Sequence, residues 1–162
     1  MTSEADILKI LEQVTDPEIP VLTVNDMGII TGVNFDAGGG LEVVITPTYS
    51  GCPAMNTIEM EIKATLAMHG FENAKVVTVL SPAWTTDWIS EAGREKLKAY
   101  GIAPPAEETA DKSALFAPER KIQCPRCDSF NTTMISQFGS TACKALYKCN
   151  DCLEPFDYFK CH

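Results

Sequence analysis

Apolar residues recur at Ile7, Leu8, Leu11 and Val14 behind a serine, Ser3, that suits a helix N-terminus, and this spacing predicts a first helix running to Thr15. Asp16-Pro17-Glu18-Ile19-Pro20 stops it, because a proline removes a backbone donor and restricts the residue before it. The period then changes. Residues 31–36 and 41–46 flank Gly38-Gly39-Gly40, and Val33 and Phe35 alternate with polar neighbours, as in a β-hairpin. Pro53 stands where a first helical turn tolerates proline. Met55, Ile58, Ile62 and Leu66 then make one apolar face, predicting a second helix over about 54–69 that ends at Gly70.

Residues 75–80 hold Val76-Val77-Thr78-Val79-Leu80, a β-branched run suited to a buried strand, and Pro82 ends it. Thr85 or Thr86 can cap a third helix bearing Trp88, Ile89 and Leu97, with Lys96 and Lys98 near its end and Gly101 as its stop. The order helix, two strands, helix, strand, helix describes a small α/β (α+β) domain over 1–102. From there to 119 the text turns small and acidic, as in Pro104-Pro105-Ala106-Glu107-Glu108, and reads as a linker. Short strand-like runs at 132–136, 145–148 and 156–160, punctuated by cysteines, make a separate module over 120–162.

Charge is unevenly spread. Residues 1–119 carry 7 Lys+Arg against 18 Asp+Glu, a net of −11, whereas 120–162 carry 6 against 4, a net of +2. The first part repels phosphate backbones, and the tail is too faintly basic to argue for nucleic acid. No run approaches the ~20 apolar residues of a membrane span, and the first residues are acidic where a secretory leader is basic. A cytoplasmic protein is the expectation. In a reducing compartment, paired cysteines hold metal more often than they form disulfides.

Six of the seven cysteines crowd the last quarter. Cys124-Pro125-Arg126-Cys127 and Cys149-Asn150-Asp151-Cys152 are two C-x-x-C knuckles with 21 residues between them, the spacing of a four-cysteine zinc ribbon. Two residues between ligands let a tight turn aim both sulfurs at one ion. So small a module cannot bury much, and one structural zinc supplies folding free energy; iron, a cluster or a redox dithiol are the alternatives. Cys143, Cys161 and His162 exceed one tetrahedral ion. They either form a second site or, the reading we favour, Cys143 packs as a small hydrophobe and the terminus is mobile. Phe156, Tyr158 and Phe159 are expected to fill the module's small core or cover the first domain.

The seventh, Cys52, stands alone in Gly51-Cys52-Pro53. With Pro53 as first helical residue, Cys52 is the cap, and its sulfur lies at the positive end of the helix dipole, a setting that favours thiolate; a buried inert cysteine is the alternative. His69 lies 17 residues further along the same predicted helix, about 25 Å away, which excludes an intrachain thiol-imidazole dyad. Metal or cluster handling, or thiol exchange, fits Cys52 better than hydrolysis. Asp16 and Glu18 are two carboxylates at a proline-fixed turn, ordinary for a helix stop unless the fold brings them to Cys52.

Asp16-Pro17-Glu18-Ile19-Pro20, Asn25-Asp26-Met27-Gly28, the segment 46–53 with its Gly-Cys-Pro core, and Ser81-Pro82-Ala83-Trp84-Thr85-Thr86-Asp87 occur in this order. Over residues 3–102 the chain thereby resembles the SufT-like iron-sulfur assembly domain family. With the cysteine module appended, nearly the whole chain resembles the PaaD (PaaJ) family of bacterial phenylacetyl-CoA epoxidase systems. The resemblance implies an accessory protein of aerobic phenylacetate degradation that supports maturation of an iron-sulfur or iron centre in a partner. It transfers a reactive-cysteine role to Cys52, as thiolate or transient cluster ligand, and makes Asp16 and Glu18 its neighbours. It implies protein partners, the reductase or other epoxidase components and the iron-sulfur assembly machinery, and a homodimer is compatible with it. Two other functions stay open: a thiol-dependent redox or acyl-transfer enzyme, and a ribbon that docks proteins without chemistry.

Overall fold

The computed structural model describes residues 2–48, 51–105, 122–141 and 144–159. Two compact units divide inside one helix, at Gly93/Arg94.

In the first unit, α1 (Glu4–Leu11) opens with a reciprocal cap: Ser3 Oγ accepts from the Asp6 N–H, and the Ser3 N–H donates to Asp6 Oδ2. The helix is shorter than the expected run to Thr15, because Val14 and Asp16 bond instead to Val24 and Leu22 across the α1–β1 connection. Strands β1 (Ile30–Phe35) and β2 (Leu41–Ile45) form the expected hairpin. Helix α2 (Ala54–Met68) crosses over to β3 (Lys75–Thr78), which pairs parallel to β2. The sheet order is β1-β2-β3. Leu41, Val43 and Ile45 on β2 and Ile58, Ile62 and Leu66 on α2 are all buried.

Two expectations fail here. β3 is an edge strand, so its β-branched run is half-exposed, with Val77 at 38%. Trp88 and Ile89 do not ride on the third helix: Thr86–Trp88 is a 3₁₀ turn, Ile89 is extended, and α3 begins only at Glu91 and ends at Tyr100. The 3₁₀ turn is held against the α1–β1 connection. An ideal Cβ on Gly28 would lie 2.4 Å from the Trp88 carbonyl oxygen, so only glycine lets the two backbones approach.

In the second unit the sheet order is β4-β7-β6-β5, with β4 at Ile102–Ala103, β5 at Thr132–Ser136, β6 at Lys144–Cys149 and β7 at Pro155–Phe159. Ile102 and Ala103 pair parallel with Asp157 and Tyr158. The end of the expected first domain and the start of the expected linker are thus a strand of the second unit. As expected of so small a module, Phe156 and Tyr158 fill its core. Tyr147 stacks on Phe156 at 5.9 Å and meets Tyr158 edge-on at 5.7 Å, beside Ala103, Ile122, Ala145, Cys124 and Cys149.

Candidate functional site

The two knuckles build one sulfur cluster. The Sγ atoms of Cys124, Cys127, Cys149 and Cys152 all lie within 4.8 Å of one another, with Cys124–Cys152 at 3.7 Å and Cys127–Cys149 at 3.5 Å. A tetrahedral ion with metal–sulfur bonds of ~2.3 Å sets its ligands about 3.8 Å apart, so the four sulfurs fit such an ion.

The knuckles repeat the same backbone device. Cys124 N–H donates to the Ser129 carbonyl and Cys149 N–H to the Glu154 carbonyl, both five residues on. The residue just before each acceptor has positive φ: Asp128 at 61° and Leu153 at 65°. Each turn also aims backbone N–H groups at sulfur, from Arg126 to Cys124 Sγ at 3.4 Å and from Cys152 to Cys149 Sγ at 3.5 Å. Such donors stabilise thiolate. The Cys152 N–H, helped by that of Asp151, brings Cys149 down to about 7 against its burial. Cys127 receives a backbone bond from Ser129, yet partial desolvation of this exposed residue and its three sulfur neighbours push it up to about 12. Four thiols this close do not all ionise alone, and a dication would be needed to hold them as thiolates. Cys143, Cys161 and His162 lie outside the described residues.

In the first unit, Cys52 is half-buried between β2 and α2. The cap of α2 is not the expected Cys52 but Pro53, with φ −66° and ψ −24°, so Cys52 stands one residue ahead of it. Its carbonyl accepts from the Met55 N–H at 3.2 Å. His69 follows the far end of α2 and pairs with Gln13, so the helix keeps it from Cys52.

The three connections that carry the sequence motifs join the sheet at one end. Ile30 pairs with Ile45, Thr46 N–H donates to the Ile29 carbonyl and Val79 N–H to that of Ile45. The α1–β1 connection therefore enters where the segments after β2 and β3 leave. The buried Trp84 indole N–H donates to the Met27 carbonyl at 2.7 Å, and Asp26 accepts from Ser90 through its carbonyl at 2.9 Å and its carboxylate at 3.3 Å. Asp16 Oδ1 accepts the N–H groups of Glu18 and Ile19, each at 2.8 Å, and is buried at 6% exposure. It shapes the turn that carries the half-buried Glu18.

Residues 4–80 match the family described as iron-sulfur cluster assembly protein, and residues 108–160 the PaaD zinc beta ribbon domain. Over 96% of its length the chain is 51% identical to a protein of Escherichia coli (strain K12) named as a putative subunit of 1,2-phenylacetyl-CoA epoxidase, 92% of which is covered. The chain belongs to the PaaD family. This PaaD chain is also 35% identical, over 56% of its length and 87% of the relative, to an Fe-S protein maturation auxiliary factor of Porphyromonas gingivalis. Its fold is like that of a crystal structure from Bacillus anthracis titled as a DUF59 domain of unknown function. That match has a TM-score of 0.54 and 26% identity, covering 58% of this chain and 90% of the other. Among the described residues of this PaaD protein no helix is long and apolar enough to cross a membrane.

Sequence reasoning missed two features of these sites. Asp26 is a buried tie between loops, and Asp151 bridges the two halves of the ribbon. The short polar residues Ser129, Asn131, Asn150 and Asp151 around the knuckles were the available signal for the second.

Proposed function

We propose that this chain is a non-catalytic cytoplasmic accessory protein of iron-sulfur assembly for a phenylacetyl-CoA epoxidase system, with Cys52 as the transient ligand of the cluster or iron being delivered. The observation that carries the reading is the position of Cys52. It is half-buried just before α2, in the segment that leaves the sheet end where the α1–β1 connection enters, and no imidazole on its helix can make it a hydrolase nucleophile. The family match over 4–80 spans Cys52, a P. gingivalis relative of 56% coverage bears the name of a maturation factor, and the E. coli relative, named for the epoxidase, matches nearly the whole chain. All three support the assignment.

Glu18 is the carboxylate assigned to contact the cargo beside Cys52, with Asp16 setting its turn. Zinc is the resident ion of the cysteine centre: it takes four thiolates in a tetrahedron without redox chemistry and secures a unit with a small core. The ribbon then serves as the docking element for the reductase or another epoxidase component. The test replaces Cys52 with serine in cells and measures cluster content of the epoxidase reductase and growth on phenylacetate. Loss of both is expected, and unchanged cluster occupancy with unchanged growth removes Cys52 from the function.

A further inference from the structure

The two knuckles match in backbone but differ in what their central residues do. In the second, both central side chains reach across to the chain leaving the first. Asp151 accepts from Ser129 Oγ through Oδ2 and from Asn131 Nδ2 through Oδ1 at 3.0 Å. Asn150 donates its N–H to the Asn131 carbonyl at 2.8 Å, and its side-chain amide to Asn131 Oδ1 at 3.3 Å and Thr133 Oγ1 at 3.0 Å. In the first knuckle the corresponding residues are Pro125 and Arg126. Among the described residues they make no bond to 149–154; instead they line an open cavity with Tyr100 and Gly101. Cys127 is the exposed sulfur of the four, while Cys149 is buried.

We infer that Asp151 is a positioning residue of the metal centre: with Ser129, Asn131 and Asn150 it clamps the second knuckle in ligand geometry before metal arrives, and leaves the first knuckle as the side that opens for metal exchange. The physical reason is the number of ties. Among the described residues the central side chains of the first knuckle, Pro125 and Arg126, make no hydrogen bond to the second, which its ligands meet sulfur to sulfur. The second keeps five hydrogen bonds to 129–133. Pre-ordered ligands lose less entropy on binding, so these ties strengthen metal affinity without touching the metal. The inference rests on the cysteines forming a metal centre.

Zinc(II) affinity of the full chain, measured by competition with a chromophoric chelator, tests it. Asp151→Ala is expected to lower affinity about 10- to 100-fold and to speed zinc loss into excess chelator, with Asp151→Asn in between. Arg126→Ala, the same position in the other knuckle, is expected to stay within about twofold of the parent. The cobalt(II)-loaded variants should keep a tetrathiolate charge-transfer band, since all four ligands remain. If Asp151→Ala fails to fold, the Ser129→Ala and Asp151→Asn double-mutant cycle replaces it. Strong non-additivity in affinity is expected there, because both changes break the same contact. Parent-like affinity in Asp151→Ala, an equal loss in Arg126→Ala, or full additivity overturns the clamp. Should the parent and Cys124→Ser take up zinc alike, the metal centre itself fails, a result distinct from loss of the clamp alone.

Discussion

Gly28→Ala isolates the close contact between the α1–β1 connection and the 3₁₀ turn. Gly28 has φ of 69°, where a Cβ costs about 1 kcal/mol. The new Cβ would also lie 2.4 Å from the oxygen and 2.8 Å from the Cβ of Trp88, and backbone cannot yield as a flexible side chain does. Overpacking of this kind costs ~1–3 kcal/mol, so the total is about 3 kcal/mol, a large share of a domain stability of ~5–15 kcal/mol. Urea unfolding followed by tryptophan emission reads it cleanly, because Trp84 and Trp88 are the only tryptophans and both lie in the first unit. With a slope of about 1.5 kcal/mol per molar urea, the midpoint falls by about 2 M. Gly39→Ala is the control: φ is 80° and nothing lies within 4 Å of its Cβ, so it loses only the backbone contribution of about 1 kcal/mol. Equal losses in the two variants would refute the close-contact argument.

Trp84→Phe leaves the Met27 carbonyl without its indole donor and should cost ~1–3 kcal/mol in the same assay, read from Trp88. Chelator should release one metal ion per chain and unfold the second unit while the tryptophan signal of the first holds, since each unit has its own core; a matching loss of both would refute this. Binding must strip protons from thiols, Cys127 at about 12 above all, so metal uptake at pH 7 should release protons to an indicator dye, and occupancy should fall as the pH drops below about 6. Asp6→Asn should lower the urea midpoint at pH 7. The backbone N–H of Ser3, then its hydroxyl, holds the Asp6 carboxyl below its usual value, so its contribution is present above about pH 4 and lost as pH falls through the folded value. The variant and parent should therefore converge in acid.

Local devices were legible in the residues and long-range ones were not. Each C-x-x-C spacing sets the separation of its two sulfurs through a single turn, so the metal ligands could be named before any coordinates. The hairpin around Gly38-Gly39-Gly40 and the apolar face of α2 follow the same logic. By contrast, β4 is two residues long and exists because Ile102 and Ala103 find Asp157 and Tyr158 far along the chain. Nothing in a run as short as Ile102-Ala103 announces a strand. Trp88 and Ile89 follow a threonine that can cap a helix running to Leu97, yet the fit of Gly28 beneath Trp88 holds the first two in a 3₁₀ turn and an extended residue. Tertiary contact overrode a weak local preference.

The sequence by itself determined which side chains have ligand chemistry to offer: four paired cysteines, one solitary cysteine, and the carboxylates of a proline-bounded turn. Those are matters of chemistry and short spacing. Only the tertiary structure decided where they stand, placing Cys52 one residue before the cap of α2, using the Asp16 carboxylate to hold its own turn, and giving Asp151 a partner across the ribbon. The first two depend on the backbone geometry of the local turn and the third on side-chain donors from across the ribbon, and residue type alone carries no record of them.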